Sequence, residues 1–364
     1  MSAPYVPRVI ATIDLGAIRH NLACVRERAA PARVMAAIKA DAYGHGAVPV
    51  ARALEAAGVD ALAVACIEEA LALREAYLRA PIVLLEGVLS FAEAQLAVEQ
   101  GVEVVVHSAW QLDLLQRLPA GAPLRLWFKL DTGMHRLGLP PHAAPALHAA
   151  VRSRPNWRFC GWMTHLACAD EPDNPMTERQ LEAFERALRE LPGPRSIANS
   201  AGLLAWPQAR ADWVRPGLML YGASPLPGKL GAELGLKPAM RLESLLIAVN
   251  ELAAGETIGY GASYRCPRAM RVGVAAVGYA DGLHRALPSG SPVLVRGRRV
   301  SLVGRVSMDM ISLDLSELPD ARVGDTVQLW GPELPVEEIA ARANTIPYEL
   351  FCGLTRRVHF VYAD

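Results

Sequence analysis

The sequence predicts a (β/α)8 TIM barrel followed by a C-terminal, mostly antiparallel β domain. Eight short apolar runs alternate with helical patterns between residues 33 and 222, and the chain changes to β-branched runs after residue 235. Eight strand–helix units over roughly 200 residues is the count of a (β/α)8 barrel. We therefore expect a barrel domain at residues 8–235 and a β domain at residues 236–364.

The barrel strands are predicted from continuous apolar runs, which are typical of strands covered on both faces. Between them, segments such as EEALALREAYLRA (68–80) carry apolar residues at three- and four-residue steps, which indicates helices. An open doubly wound sheet is the alternative, although the Rossmann fingerprint is absent. The eight runs are RVMAAIKA (33–40), ALAVAC (61–66), PIVLLEG (81–87), EVVVH (103–107), LRLWFKLD (124–131), FCGWMTH (159–165), SIANS (196–200) and GLMLYG (217–222).

The β domain is predicted from β-branched runs that are separated by Gly, Pro and Asp turns. A segment with Pro and Gly punctuation, residues 225–238, is typical of a connector to the barrel. The N-terminal segment 1–14 contains a further strand, which can pair with either domain. The β-domain runs are LESLLIAVNELAAG (242–255), RVGVAAVGYADG (271–282), SPVLVRGRRVSLVGRVSMDMISLDLS (291–316) and RVGDTVQLWG (322–331).

Composition excludes several classes of protein. The 37 basic and 37 acidic residues balance, so nothing favours binding to nucleic acid or to an anionic membrane. No apolar run reaches the ~18 residues of a membrane span, and the N-terminal MSAPYVPR lacks the apolar core of a signal peptide. The six cysteines form no CxxC pair, which is typical of reduced thiols in a cytoplasmic protein.

The few lysines are the first candidates for chemistry. Of 37 basic residues only four are lysines, and Lys39 and Lys129 each lie at the end of an apolar run. Barrel enzymes place their active residues at these C-terminal strand ends. An amine forms a Schiff base and a guanidinium does not, although a strand-end lysine can also simply pair with a carboxylate. Lys229 and Lys237 fall in the connector and are expected to be solvated or structural.

The later strand ends predict an anion site. NSAG (199–202) and RPGLMLYG (215–222) carry small residues whose backbone N–H groups suit a phosphate, at the usual phosphate position of such barrels. With a Schiff-base lysine on the first strand, this suggests pyridoxal phosphate (PLP). Arg215, immediately before the eighth run, would keep the pyridine nitrogen unprotonated, which suits movement of a single proton. The alternative is an arginine paired with a nearby acid.

Ten segments together resemble alanine racemase in order and spacing, over nearly the whole chain. The resemblance implies PLP-dependent interconversion of L- and D-alanine, for peptidoglycan or for alanine catabolism. It also implies a head-to-tail homodimer whose two active sites are shared between subunits. The segments are IDLGAIRHN (13–21), KADAYGHG (39–46), KLDTGMHRLG (129–138), THLACAD (164–170), ANSAG (198–202), RPGLMLYG (215–222), IGYGASY (258–264), VGYADG (277–282), GRVSMDM (304–310) and IPYE (346–349).

Carried across by motif, the cofactor residues come from the barrel and from one C-terminal tyrosine. Lys39 resembles the Schiff-base lysine, which is also one of two catalytic bases. Arg215 resembles the partner of the pyridine nitrogen, and His165 the residue stacked near the ring. The phosphate contacts that the resemblance implies are Tyr43, Asn199, Ser200, Gly217, Leu218 and Tyr348.

The resemblance also implies residues that bind substrate. Arg136 resembles the arginine that steadies the cofactor phenol oxygen and the substrate carboxylate. Lys129 occupies the position that the family often carbamylates, where the carbamate would orient Arg136. His135 fills a position that differs among relatives.

A second set of residues would be delivered from the partner subunit. Tyr260 resembles the second catalytic base, and Tyr279, Met308 and Asp309 resemble residues that line the substrate entrance and carboxylate site. Ser307 departs from the Cys of many relatives, which is expected to alter thiol chemistry near the entrance and not the reaction.

Other functions share parts of this pattern. A PLP-dependent decarboxylase or a small PLP carrier shares the lysine and the phosphate cradle, but neither is expected to have Tyr260 or Arg215. A periplasmic broad-spectrum racemase shares the fold but is expected to have an export signal, and a binding protein would not need two bases. His165, Cys168 and Asp170 could be read as a metal cluster; because relatives need no metal, none is expected.

Overall fold

The structure is a computed structural model that describes residues 6–364, and the chain divides into two compact units. The barrel unit comprises residues 18–220 and 224–229. The C-terminal unit comprises the described residues up to 17 together with residues 221–223 and 230–364. Residues 1–5, which belong to the segment without a signal-peptide core and to the predicted strand 1–14, lie outside the described residues.

The barrel unit contains eight parallel strands that close on themselves, which confirms the predicted (β/α)8 barrel and excludes the open sheet. Closure is made by the first and eighth strands, where Arg33 pairs with Trp213 and Val34 with Val214. In order, the barrel strands are Arg33–Ala37, Ala61–Val64, Ile82–Leu84, Glu103–Val106, Leu124–Lys129, Trp157–Met163, Arg195–Asn199 and Trp213–Arg215.

Apolar side chains fill the inside of the barrel and the space beneath its helices. Met35, Val83, Trp127 and Met163 belong to one buried cluster contributed by different strands. Because side chains fill its interior, the barrel is a packed core and not a pore, and ligands of such barrels bind at an end. The helices are Leu15–Ala29, Ala47–Ala56, Ile67–Glu75, Phe91–Glu99, Ala109–Gln116, Ala144–Arg152, Met176–Leu188 and Ser200–Ala205, with 3-10 turns at Pro141–Ala143, Pro207–Arg210 and Leu218–Tyr221.

The predicted eighth strand, residues 217–222, is wrong. The strand is Trp213–Arg215, and the buried apolar residues Leu218–Tyr221 form a 3-10 turn. Ser200 Oγ accepts the N–H of Gly217, so that backbone group is not available to a strand ladder. A short buried apolar run does not distinguish a strand from a turn by its periodicity. Arg215 consequently ends the eighth strand instead of preceding it.

The C-terminal unit is built on an eight-stranded sheet, and its mostly antiparallel pairing confirms the predicted β domain. The N-terminal strand joins this sheet, antiparallel to Met240–Leu252 and parallel to the last strand. Met270–Ala275, at one edge of the sheet, also pairs with Met240–Leu252, so the strands between these two form a closed ring. The order across the sheet is Met270–Ala275, Ile311–Asp314, Arg298–Val303, Pro292–Val295, Thr326–Trp330, Met240–Leu252, Val9–Asp14 and His359–Ala363.

Several smaller elements complete this unit and were not predicted. Thr257–Ile258 pairs with Tyr264–Arg265, and the 3-10 turn Tyr260–Ala262 lies between them. Further elements are the helices Val336–Arg342 and Pro347–Cys352 and the 3-10 turns Gly231–Leu234 and Tyr279–Asp281. Within residues 6–364, no helix is both long enough and apolar enough to cross a membrane.

Candidate active site

The predicted barrel residues meet at one end of the barrel because the strands are parallel and these residues lie at or just beyond the C-terminal strand ends. Lys39 follows the first strand and Lys129 ends the fifth. His165 lies two residues beyond the sixth, and Asn199 and Arg215 end the seventh and eighth. In a closed barrel this is the face that carries active sites.

Lys39 is followed by an unusual backbone conformation. Residues 40–43 all lie in the left-handed helical region, with φ between 52° and 54° and ψ between 42° and 53°. For L-residues this region costs roughly 1–2 kcal/mol each, and the turn contains no glycine. The chain therefore makes a strained turn directly behind the candidate Schiff-base lysine.

Arg215 is buried, and the groups around it fix its guanidinium. Nη1 donates to Ser196 Oγ at 2.6 Å. Nη2 donates to the carbonyl oxygens of Thr164 at 2.5 Å and Ile197 at 3.1 Å and lies 3.4 Å from His165 Nδ1. Burial lowers the pKa of Arg215 to about 10, which leaves it a cation at neutral pH. The carbonyl and hydroxyl partners had no sequence signal, because each depends on a neighbouring strand.

Positive charge accumulates around Lys129 and His165. Burial, followed by the charges of Arg215, Arg136 and Lys39, lowers the pKa of Lys129 to about 8. Burial and the same cations, with Lys129, lower the pKa of His165 well below its usual value. His165 is therefore neutral at neutral pH. So many cations at one barrel end suit a ligand with several negative groups.

The predicted phosphate residues of the barrel unit also come together. Gly217 faces Tyr43 so closely that a Cβ at residue 217 would overlap the Tyr43 hydroxyl. Ser200 Oγ accepts the N–H groups of Gly217 at 2.9 Å and of Met219 at 3.4 Å. Leu218 is buried. Hydroxyl groups and glycine backbone at one end of the barrel, beside excess positive charge, fit the phosphate of PLP.

Asn199 acts locally as a helix cap. Its Oδ1 accepts the N–H of Gly202 at 2.8 Å, at the start of the helix Ser200–Ala205. This bond holds the turn that carries Ser200 toward Gly217.

Arg136 lies on an exposed loop that Asp131 shapes. Asp131 Oδ1 accepts the N–H groups of Gly133 and His135, both at 3.0 Å, and Oδ2 lies 2.9 Å from His135 Nδ1. Burial raises the pKa of Asp131, but these hydrogen bonds outweigh it and lower the pKa below its usual value. A side chain at Gly138 would overlap the Asp131 backbone, so the loop must close tightly.

The remaining predicted residues lie in the C-terminal unit. Tyr260 is 71% exposed on its 3-10 turn. Tyr279, Met308 and Asp309 lie on adjoining backbone, because Ser307 O accepts the Tyr279 N–H at 3.0 Å. Tyr348 lies in the helix Pro347–Cys352.

Arg357, which was not predicted, forms ion pairs with two acidic residues of the C-terminal unit, one of which is the predicted Asp309. Its Nη2 lies 2.7 Å from Asp309 Oδ1, and its Nε lies 3.0 Å from Asp281 Oδ1.

In the described part of the chain, no group of three or more His, Cys, Asp or Glu side chains could hold a metal. This includes the group of His165, Cys168 and Asp170.

Comparison with known proteins places this site in a family. Profiles of the alanine racemase N-terminal and C-terminal domains match residues 13–225 and 239–362. An alanine racemase of Nitrosococcus oceani is 54% identical over 350 residues, 96% of this chain and 97% of that protein. The biosynthetic alanine racemase of Pseudomonas aeruginosa has a similar crystal structure, with a TM-score of 0.95 and 48% identity over 99% of this chain and all of that one.

A structure of alanine racemase from Bartonella henselae contains covalently bound pyridoxal phosphate. It matches with a TM-score of 0.89 and 32% identity, over 98% of this chain and all of that one. The fold and the comparisons define the class as a PLP-dependent racemase. The chain belongs to the alanine racemase family.

Proposed function

We propose that this chain interconverts L-alanine and D-alanine with one proton-transferring group on each face of the substrate Cα. Lys39 serves one face and Tyr260 of the partner subunit serves the other. Bases on opposite faces allow inversion without rotation of the bound substrate. The observation that carries the proposal is that Lys39, Lys129, His165 and Arg215 lie at the same end of the barrel, with Arg215 Nη2 3.4 Å from His165 Nδ1.

PLP, when bound, draws away the electrons left at Cα and so makes that proton acidic. Its proposed site in the barrel consists of Lys39, Tyr43, His165, Asn199, Ser200, Arg215, Gly217 and Leu218, and the family resemblance assigns a further phosphate contact to Tyr348. Arg215 stays charged within a fixed set of acceptors, which supports its role beside the ring nitrogen.

His165 has a proposed part in activating Tyr260. Because Arg215 Nη2 lies on the Nδ1 side of this neutral ring, the ring proton belongs on Nε2. An Nε2–H group can donate to a phenolate and stabilise it. We propose this contact between His165 and the partner's Tyr260.

Substrate binding completes the proposal. Arg136 would hold the alanine carboxylate, with Tyr279, Met308 and Asp309 of the partner lining the entrance. In a homodimer, one subunit provides the barrel residues of a site and its partner provides Tyr260, Tyr279, Met308 and Asp309. The exposed position of Tyr260 supports a contact with another chain. We place the enzyme in the cytoplasm, making D-alanine for peptidoglycan, with alanine catabolism as the alternative role.

A chiral assay of the PLP-loaded enzyme with alanine and serine side by side tests the activity. We expect alanine to be converted in both directions and faster than serine. Absence of any alanine interconversion would refute the proposal.

We also propose that Lys129 is carbamylated. A neutral amine adds CO2, loses one proton and becomes an anionic carbamate, and a pKa of about 8 leaves a neutral fraction of Lys129 at neutral pH. The carbamate would orient Arg136. Lys129→Ala is then expected to weaken alanine binding about 10- to 100-fold, as for loss of a charge-assisted hydrogen bond.

Native mass measurement with and without bicarbonate checks this modification. The wild-type chain should carry one added CO2 that Lys129→Ala lacks, whereas the exposed Lys229→Ala control keeps it. A bare amine in both the mass and high-resolution density would contradict the prediction.

A further inference from the structure

The left-handed turn after Lys39 connects two groups of the proposed site. Lys39 lies before it and Tyr43 is its last left-handed residue. Tyr43 in turn packs its hydroxyl against Gly217. The turn therefore sets the backbone path between the candidate Schiff-base lysine and the candidate phosphate contact.

The residues of the turn do not favour this conformation by themselves. Ala40, Ala42 and Tyr43 all prefer right-handed conformations, and only Asp41 belongs to a type that enters the left-handed region readily. Ala40 is exposed, so packing of its methyl group does not explain its backbone conformation. Groups outside the turn must hold it.

Glu69 holds the turn at its first residue. This side chain lies on the helix Ile67–Glu75, after the second barrel strand. Its Oε1 accepts the N–H of Ala40 at 2.6 Å, and its Oε2 accepts the N–H of Ala65 at 2.7 Å. Both oxygens thus bind backbone, one beside Lys39 and one at the end of the neighbouring strand.

Asp41, the second residue of the turn, makes a separate attachment. Asp41 Oδ1 accepts the N–H of Ala47 at 2.6 Å, at the first residue of the helix Ala47–Ala56. This bond joins the turn to the chain that follows it. The bond from Glu69 joins the turn to a different strand and is the one next to Lys39.

We propose that Glu69 is a positioning residue for Lys39. Its carboxylate holds the Ala40 amide in the left-handed turn and so fixes the direction of the Lys39 amine. A carboxylate suits this task because a charged acceptor forms stronger hydrogen bonds than a neutral one and offers two oxygens. The inference rests on the proposed role of Lys39.

The test compares Glu69→Ala and Glu69→Gln with Glu68→Ala, an exposed glutamate one residue earlier on the same helix. Apoenzyme is mixed with PLP and quenched with borohydride at intervals, and peptide mapping follows the cofactor attached at Lys39. Glu69→Ala is expected to slow attachment and to lower kcat for alanine, each about tenfold, with a smaller change in KM. Glu69→Gln keeps one carbonyl acceptor and should lie between Glu69→Ala and the wild type.

A second substitution separates positioning from general destabilisation. Glycine adopts left-handed conformations without the steric cost of a Cβ. Ala40→Gly in the Glu69→Ala background should therefore recover severalfold in attachment rate, and Ala40→Gly alone should change it little.

Two results would overturn the role of Glu69. One is that the cofactor attaches to Lys39 in Glu69→Ala and in Glu69→Gln as fast as it does in Glu68→Ala. The other is a slowed Glu69→Ala that Ala40→Gly does not improve. Failure of the proposed role of Lys39 would look different, because in the wild-type enzyme the cofactor would then attach to another residue. Failure of the proposed activity would appear as a wild-type enzyme that carries the cofactor on Lys39 and does not interconvert alanine.

Discussion

Replacing Lys39 with alanine is expected to abolish alanine racemisation in both directions. The variant loses the proposed Schiff-base amine, which is also one of the two proposed proton-transferring groups. A positioned base alone contributes about 10²- to 10⁴-fold, so we expect a loss of at least about 10⁴-fold in kcat. Chiral analysis starting from each pure enantiomer measures the effect.

The matched control is Lys229→Ala, which removes an exposed lysine of the barrel unit. This variant should keep wild-type rates and cofactor attachment after borohydride reduction. Lys39→Ala should bind PLP without a covalent bond. Substantial racemisation by Lys39→Ala would show that another group accepts the Cα proton.

The Tyr260→Phe variant is expected to lose racemisation while it keeps the visible absorbance band of the bound cofactor. The substitution removes only the hydroxyl group of a side chain that is 71% exposed, so the fold should not change. Without a proton-transferring group on one face, inversion fails from either enantiomer, by about 10²- to 10⁴-fold. Exchange of the Cα proton of one enantiomer with solvent deuterium should persist, because Lys39 still serves its own face.

Tyr77→Phe is the control, since Tyr77 is 88% exposed in the barrel unit. It should behave as the wild type in both the racemisation and exchange measurements. A Tyr260→Phe enzyme with near-normal turnover would refute the two-base account and leave Lys39 to act on both faces.

The parts of the structure that local patterns predicted are those that local interactions determine. Continuous apolar runs located seven of the eight barrel strands, because strands buried on both faces need apolar side chains throughout. The eighth was misplaced because LMLY is as apolar as a strand, although Leu218–Tyr221 is a 3-10 turn. The helix Pro347–Cys352, which carries Tyr348, has only six residues and gave no periodic signal.

The candidate site likewise contains residues that the sequence predicted and supporting groups that it did not. Strand ends and their residue types pointed to Lys39, Lys129, His165 and Arg215 as residues that would meet. Their supporting groups could not be predicted, because these depend on which strands are neighbours in space. Ser196 binds Arg215 across 19 residues, and Glu69 binds the Ala40 amide across 29.

The left-handed turn after Lys39 opposes its own local preferences. An Ala-Asp-Ala-Tyr sequence predicts a right-handed conformation, since the left-handed one crowds each Cβ against the backbone. Contacts from outside the segment therefore determine the backbone directly after the candidate Schiff-base lysine. No pattern in KADAYGHG reveals this.

The central claim is that Lys39 and Tyr260 of different subunits form one active site. Co-expression of the two inactive variants, Lys39→Ala and Tyr260→Phe, tests it directly. Each mixed dimer would contain one site with both groups intact and one with neither. Random pairing makes half of the dimers mixed, so the account predicts recovery to about one quarter of wild-type activity. A mixture that forms mixed dimers and stays inactive would contradict the shared site.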